Sequence, residues 1–297
     1  MKYVIIYNPL SHSGTGKEKA ENITALPQSA EKVFLDATKN NYSDVISTLA
    51  PNDKVVICGG DGTLNRFINT VDTDNPEIEI LYYPTGSGND FYFDVTGNKS
   101  GDPIVINKYL KDLPVVTVNG KDYKFLNGIG YGIDGYCCEV GDAQREKSAK
   151  PVNYTSIAIK GLLFHYKTTS ATITVDGKTR TYKNVWLAPT MNGRCYGCGM
   201  IPTPDQDRMN NDGTLSVMVY YCKSKLKALM VFPKIFKGEH VKHTEMIEIF
   251  KGKNITVTFD KPTALQIDGE TIKDVTTCTM KSVKADIIAA EAAATAK

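Results

Sequence analysis

The sequence predicts a doubly wound α/β nucleotide-binding domain followed by a largely antiparallel β-rich domain, with an active-site cleft between the two. Three observations lead there. Up to about residue 110, short apolar runs alternate with amphipathic ones, the pattern of a parallel sheet with crossover helices. After Pro114 the texture changes to short alternating strands with polar turns. Polar, glycine-rich turns also follow the apolar runs, at the strand ends where open α/β sheets bind ligands.

In chain order, residues 3–7, 32–35, 54–58 and 78–82 read as strands, residues 17–26, 42–49 and 64–71 as helices, and 103–110 as a closing segment. Beyond Pro114, residues 115–118 and 123–126 flank Asn119-Gly120, and residues 171–175 and 179–182 flank Asp176-Gly177. Asn-Gly and Asp-Gly between such runs signal two-residue hairpin turns, because both central residues need positive φ. The expected domains are 1–114 and 115–281.

Composition narrows the class. A chain of 297 residues with seven cysteines lacking framework-like spacing reads as an intracellular protein with reduced thiols. Its net charge of +2 and the lack of a basic, aromatic face argue against nucleic acid. No apolar run is long enough for a membrane span, and the start reads as a strand rather than a secretory signal. The expected compartment is the cytoplasm.

The most informative stretch is Val55-Val56-Ile57-Cys58-Gly59-Gly60-Asp61-Gly62-Thr63-Leu64-Asn65. Glycines without Cβ let backbone N–H groups close around phosphate oxygens, and the helix beginning near Leu64 adds its positive dipole end. The backbone of Gly59, Gly60 and Gly62, with the Thr63 hydroxyl, would hold the phosphates. A carboxylate beside a polyphosphate calls for a divalent cation, so Asp61 implies Mg2+ with the nucleotide. A second strand–turn–helix unit holds Pro84-Thr85-Gly86-Ser87-Gly88-Asn89-Asp90-Phe91. A third glycine-containing loop runs from Asn8 to Lys17. It is not a P-loop, because Ser11 stands where the first glycine belongs and Glu18 where Ser or Thr belongs.

These stretches, together with Leu265-Gln266-Ile267-Asp268-Gly269-Glu270, occur in the order found in the diacylglycerol kinase-like lipid kinases, which the chain resembles over nearly its whole length. The Gly-Gly-Asp-Gly-Thr element is shared with NAD kinases and phosphofructokinases; the Gly-Ser-Gly-Asn-Asp-Phe loop and the late Asp-Gly-Glu narrow the choice. The first loop is two residues longer than the family's usual pattern, and Cys198 interrupts a stretch that is often all glycine.

The resemblance implies an ATP-dependent, Mg2+-requiring kinase acting on a hydroxyl of diacylglycerol or a related lipid. It implies nucleotide contacts at Asn8, Thr38 and Ser87, a proton acceptor at Asp268 or Glu270, and a structural Mg2+ held by Asp212 with the Met209 and Thr214 carbonyls. It also implies that the tail, 282–297, returns to the first domain, with the alanine-rich end after Ala289 frayed. An NAD kinase-like enzyme and a noncatalytic lipid- or nucleotide-binding module are the alternatives. Without the resemblance, Asp-Gly-Glu reads as a hairpin turn.

Two further clusters stand out. Cys195-x-x-Cys198 and His240-x-x-His243 supply zinc-ligand types, but their spacing is unlike a finger. Residues 223–243 carry six lysines interleaved with apolar residues, an amphipathic stretch suited to an anionic bilayer or to a core-facing helix, and Pro233 argues against one unbroken helix.

Overall fold

The computed structural model describes residues 1–73, 78–147 and 152–295. Its internal contacts divide the chain into two units, Met1–Asp112 and Leu113–Lys297.

The first unit is built on a sheet of β1 (Lys2–Tyr7), β2 (Glu31–Asp36), β3 (Lys54–Gly59), β4 (Glu79–Pro84) and β5 (Ile104–Val105), in the order β2-β1-β3-β4-β5. The first four strands are parallel, and β5 closes one edge antiparallel to β4. Central strands of such a sheet are covered on both faces and so read as unbroken apolar runs; Val55, Val56, Ile57 and Cys58 of β3 are all fully buried. Around the sheet lie α1 (Ser11–Gly14), α2 (Gly16–Glu21), α3 (Tyr42–Ser47), α4 (Asp61–Ile68), α5 (Asp90–Thr96) and α6 (Asn107–Leu110). The strand order reverses between β1 and β3, which places the loops after both strands at the switch point. The helix expected over 17–26 ends at Glu21, and the segment 103–110 splits into β5 and α6.

The second unit is β-rich. Its strands are β6 (Val115–Val118), β7 (Lys121–Lys124), β8 (Gly128–Tyr131), β9 (Thr169–Val175), β10 (Lys178–Leu187), β11 (Thr190–Met191), β12 (Leu215–Tyr221), β13 (Ile247–Gly252), β14 (Asn254–Ile267) and β15 (Glu270–Lys281). They pair in the order β7-β6-β15-β14-β8-β11-β12-β10-β9, with β13 also on β12, and all these pairings are antiparallel. A further pairing between β9 and β14 closes the sheet into a barrel. The long β14 makes closure possible: Ile255–Phe259 pair with β9, register shifts follow between Thr258 and Leu265, and Leu265–Ile267 pair with β8. The interior is filled by Phe125, Tyr131, Val217, Val219, Val257, Phe259 and Leu265, with Tyr131 and Phe259 stacked at 4.1 Å. Outside the strands lie α7 (Ile133–Lys147), α8 (Tyr154–Lys160), α9 (Lys225–Val231) and α10 (Val283–Thr295).

Both expected hairpins form with positive φ at their turn residues: Asn119 at 50° and Gly120 at 73°, Asp176 at 46° and Gly177 at 81°. The tail departs from expectation. It groups with the second unit rather than the first: Lys284 donates to the Asn210 carbonyl, and Ala285 is buried against Gly213. The alanine-rich end is helical to Thr295 instead of frayed, as fits alanine's high helix propensity.

Candidate functional sites

In the first unit the glycine loops meet. The Gly59 carbonyl, at the end of β3, accepts from the amides of Thr85 (3.0 Å) and Gly86 (3.1 Å) and from the Tyr82 hydroxyl (3.1 Å). A Cβ on Gly86 would lie 2.3 Å from the Cα of Gly60, and one on Gly59 would strike Thr63, so glycine is required by contact here rather than by φ. Asn89, at φ 52°, organises the second loop: its Oδ1 accepts from the Gly86 amide, and its Nδ2 donates to the carbonyls of Gly86 and Lys99. Asn8 donates from Nδ2 to the Thr63 hydroxyl (3.2 Å), joining the loop after β1 to the start of α4. A Cβ on Gly16 would collide with the Asn8 carbonyl, so α2 also packs tightly against this loop.

Asp61 has structural partners of its own. Its Oδ2 accepts from the Asp90 amide and its Oδ1 from the Phe91 amide, each at 2.9 Å. The carboxylate therefore caps the first turn of α5, where backbone amides and the positive helix end offset its charge. This arrangement offsets the charge of an acid near phosphates, and because a carboxylate oxygen has two acceptor sites, capping α5 is compatible with Mg2+ or its water at Asp61. The first turn of α4 keeps its own positive end for an anion. Ser87 is exposed on the second loop. Thr38 follows β2, where its amide and hydroxyl both bond to Asp36 (2.8 and 2.7 Å) and hold that carboxyl below its ordinary pKa.

In the second unit Asp268-Gly269 is itself a two-residue hairpin turn, linking Ile267 of β14 to Glu270 of β15, with φ of 46° and 99°. Asp268 is 5% exposed, and its carboxylate accepts from three successive amides, those of Leu126 (2.6 Å), Asn127 (2.8 Å) and Gly128 (2.9 Å). Such a cradle favours the ionised form and occupies the oxygens of the group. Glu270 is exposed at the far side of the same turn. The two candidate acceptors thus have opposite environments.

The stretch around Asn127–Gly135 was not singled out in the sequence, and it builds much of the surroundings of the Asp268 turn. Asp134 is buried; it accepts from the Gly135 amide (3.0 Å) and the Tyr196 hydroxyl (2.8 Å) and also bonds to Gln266. Gln266 in turn accepts from the Gly269 amide at 2.6 Å, so Asp134 supports the hairpin turn through one intermediary. A Cβ on Gly130 would overlap the Asp134 carboxylate, which explains that glycine. Arg208 donates to the Leu126 carbonyl (3.1 Å) and the Asn127 side chain (3.0 Å), tying the 207–214 loop to the same cradle. The readable signal was a strand ending in glycines and an acid, the same pattern as the first-unit loops.

Burial raises the Asp134 carboxyl to a pKa of about 6. The folded state therefore holds this proton more tightly than the unfolded chain. Its stabilising contribution is complete below about pH 4 and is lost as pH rises to about 6. The parent's melting temperature minus that of Asp134→Asn is expected to fall across this interval and to level off above it. A flat difference would exclude the buried titration.

The loop expected to hold structural Mg2+ is closed by amides. The Thr214 carbonyl accepts from Gln206 Nε2 (3.0 Å) and Asn210 Nδ2 (2.8 Å), so both of its lone pairs are used. Asp212 is exposed and accepts from the Thr214 amide and hydroxyl, which lower its pKa, and Met209 is exposed. Met209, Asp212 and Thr214 thus do not fit a preformed cation site. Asn210→Ala is expected to cost about 1–3 kcal/mol by removing its side-chain hydrogen bonds to Asp207 and Thr214, and chelator should leave the parent's melting curve unmoved. A Mg2+-dependent melting temperature lost in Asp212→Ala would reverse this reading.

The zinc-type cluster is not assembled. Cys195 is buried and Cys198 exposed, and His240 Nε2 bonds to the Pro202 carbonyl at 2.9 Å. Among the described residues, no group of three or more His, Cys, Asp or Glu side chains is placed to hold a metal.

Residues 2–114 match the diacylglycerol kinase catalytic domain, and residues 127–287 match the YegS C-terminal NAD kinase beta sandwich-like domain. The chain belongs to the diacylglycerol kinase-like lipid kinase family. A diacylglycerol kinase of Mycobacterium tuberculosis is 24% identical over 257 residues, covering 82% of this chain and 81% of that protein. A Staphylococcus aureus protein named "putative lipid kinase" is 29% identical over 241 residues, 78% of this chain and 73% of its own length. The crystal structure titled "putative diacylglycerol kinase" from Bacillus anthracis superposes with a TM-score of 0.64 at 21% identity, over 94% of this chain and 91% of that one, and so shares the fold. The family accounts for two units of different texture, an α/β unit bearing the glycine loops and a closed β unit bearing the Asp-Gly-Glu turn.

Proposed function

We propose that the chain is a lipid kinase that uses ATP to phosphorylate a hydroxyl of diacylglycerol or a related amphiphile. The observation that carries the proposal is the packing of Gly60 against Gly86 at the switch point of the first sheet, which turns two glycine loops and the positive end of α4 into one anion cradle. Asn8, bonded to Thr63, fixes the rim of that cradle. In this reading Asp61 positions the second loop rather than touching phosphate. Mg2+ bound with the nucleotide would neutralise phosphate charge during transfer.

The acceptor hydroxyl must lose its proton to a carboxylate that solvent and substrate can reach. Glu270, exposed at the hairpin, suits that role, whereas Asp268, held by three amides, suits anchoring the turn that presents it. Asp134 and Gln266 would set the orientation of the turn from behind. The lipid would be met at a bilayer surface, with the protein bound peripherally; among the described residues no helix is long and apolar enough to cross a membrane. Incubation with γ-labelled ATP and diacylglycerol, sphingosine, ceramide, phosphatidylglycerol or NAD is expected to label a lipid, diacylglycerol foremost. Label appearing only in NADP would overturn the lipid assignment.

A further inference from the structure

The stretch 223–243, read from sequence as one amphipathic segment, is broken into α9, a 3-10 turn over Phe232–Lys237 with Pro233 in its first turn, and a second 3-10 turn over Glu239–Lys242, separated by Gly238 at φ 69°. The break leaves an unusual outer face. Helix α9 buries Ala228 and Val231, while Leu226 and Met230, four residues apart and so on one side of the helix, are 66% and 59% exposed. The π turn after α8, Gly161–His165, buries Gly161 and Leu162 and leaves Phe164 at 74% exposure. Lys225 of α9 donates to the Leu163 carbonyl at 3.1 Å, which puts the two apolar projections on neighbouring elements.

Cations surround them. Lys160, Lys167, Lys223, Lys225, Lys227 and Lys237 are exposed. Lys234 is half-buried and bonded to His243. The acids nearest them are Glu239 and Glu245, the latter paired with His243; on α7, which packs against α8 and the π turn, Glu139 is paired with Lys273, Asp142 with Arg145, and Glu146 is exposed. Single protruding apolar side chains set among flexible lysines suit the interface of an anionic bilayer, where side chains enter the acyl boundary and lysines reach the headgroups.

We propose that α9 and the π turn after α8 form a membrane-docking face, with Phe164, Leu226 and Met230 inserting into anionic bilayers and the flanking lysines supplying charge attraction. The proposal rests on the lipid-kinase reading for its purpose, but its geometry lies wholly within the second unit. The occupant is a bilayer because the face combines apolar projections with an excess of exposed lysines on α9 and beside the π turn.

The test is sedimentation of the full chain with phosphatidylcholine vesicles and with vesicles that also carry phosphatidylglycerol, alongside phosphorylation of a short-chain soluble diacylglycerol. Binding is expected on the anionic vesicles and should weaken as salt rises from about 0.1 to about 1 M, over which the screening length falls from roughly 10 to 3 Å. Phe164→Ser and the double change Leu226→Ser with Met230→Ser should each lower vesicle affinity by on the order of tenfold, and Lys223→Gln with Lys227→Gln should flatten the salt dependence. All are surface changes, so activity on the soluble analogue should persist. Parent-like vesicle binding by both apolar variants would overturn the proposal, as would self-association of the parent that these changes abolish, since a second copy would then be the occupant. Vesicle binding lost in the variants of a protein that phosphorylates no lipid would refute the kinase reading while sustaining the docking face.

Discussion

Glu270→Gln is expected to lower kcat for lipid phosphorylation by on the order of a hundredfold or more, with nucleotide affinity and melting temperature close to those of the parent. The scale is that of losing general-base assistance. The small stability effect is that expected of a substitution at an exposed position at the end of a hairpin. Asp268→Asn should give the opposite signature. Its amide can accept on one side only, so at least one of the Leu126, Asn127 and Gly128 amides loses its partner in a buried setting. A hydrogen bond to a charged group is worth about 1.5–3 kcal/mol, and the stranded donor adds its own desolvation cost, so the variant should be less stable by roughly 2–4 kcal/mol. Activity would fall with the folded population and with misplacement of the turn. Urea melts and initial rates on the same preparations separate the cases. If Asp268→Asn melts like the parent yet is inactive, while Glu270→Gln remains active, the base is Asp268.

Gly86→Ala is the second large effect. The added methyl would sit 2.3 Å from the Cα of Gly60, 2.9 Å from its amide nitrogen and 2.8 Å from the Asn89 side chain, and two of those three neighbours are backbone atoms that cannot rotate away. The loops must separate, at a cost of about 1–3 kcal/mol for overpacking and with loss of the anion cradle. Gly60→Ala meets its nearest backbone neighbour only at 3.2 Å and should be the milder change in thermal stability. Calorimetric titration with ATP should show at least tenfold weaker binding for Gly86→Ala. Equal melting temperatures for the two variants and the parent would mean that the loops do not pack as described.

Much of this architecture was legible because it rests on local rules. The apolar run 54–58 had to be a doubly covered strand, and the Asn-Gly and Asp-Gly pairs had to turn. The two glycine loops were legible as a pair for the same reason: each follows a strand of one parallel sheet, and such strands end on one side. What local pattern could not reveal was where a carboxylate spends its hydrogen bonds. Asp61 reads from sequence as a metal-side acid, and only the fold adds that it caps α5 through the amides of Asp90 and Phe91. Asp268 reads as a base until its partners are known to lie near residue 127, 142 positions away in the longest of the three bonds. Both are tertiary facts. The tail was misplaced for a similar reason, since its partners Asn210 and Gly213 carry no sequence mark of the contact. In the 207–214 loop, likewise, sequence could not show that the Gln206 and Asn210 amides bond to the Thr214 carbonyl.

The Asp268 cradle also bears on how the protein is made. Its donors leave the ribosome about 140 residues before their acceptor, and β14, the strand that closes the barrel, arrives immediately ahead of that acceptor. A nascent chain therefore carries the amides of Leu126, Asn127 and Gly128 without their anion while about 140 further residues are made, and its barrel strands without closure. Pairings of such long sequence separation form slowly. On dilution from denaturant, the glycine-loop unit should regain nucleotide affinity before phosphotransfer returns, and chains truncated ahead of Asp268 should bind ATP yet never turn over. Simultaneous recovery of both activities would show that the two units fold as one.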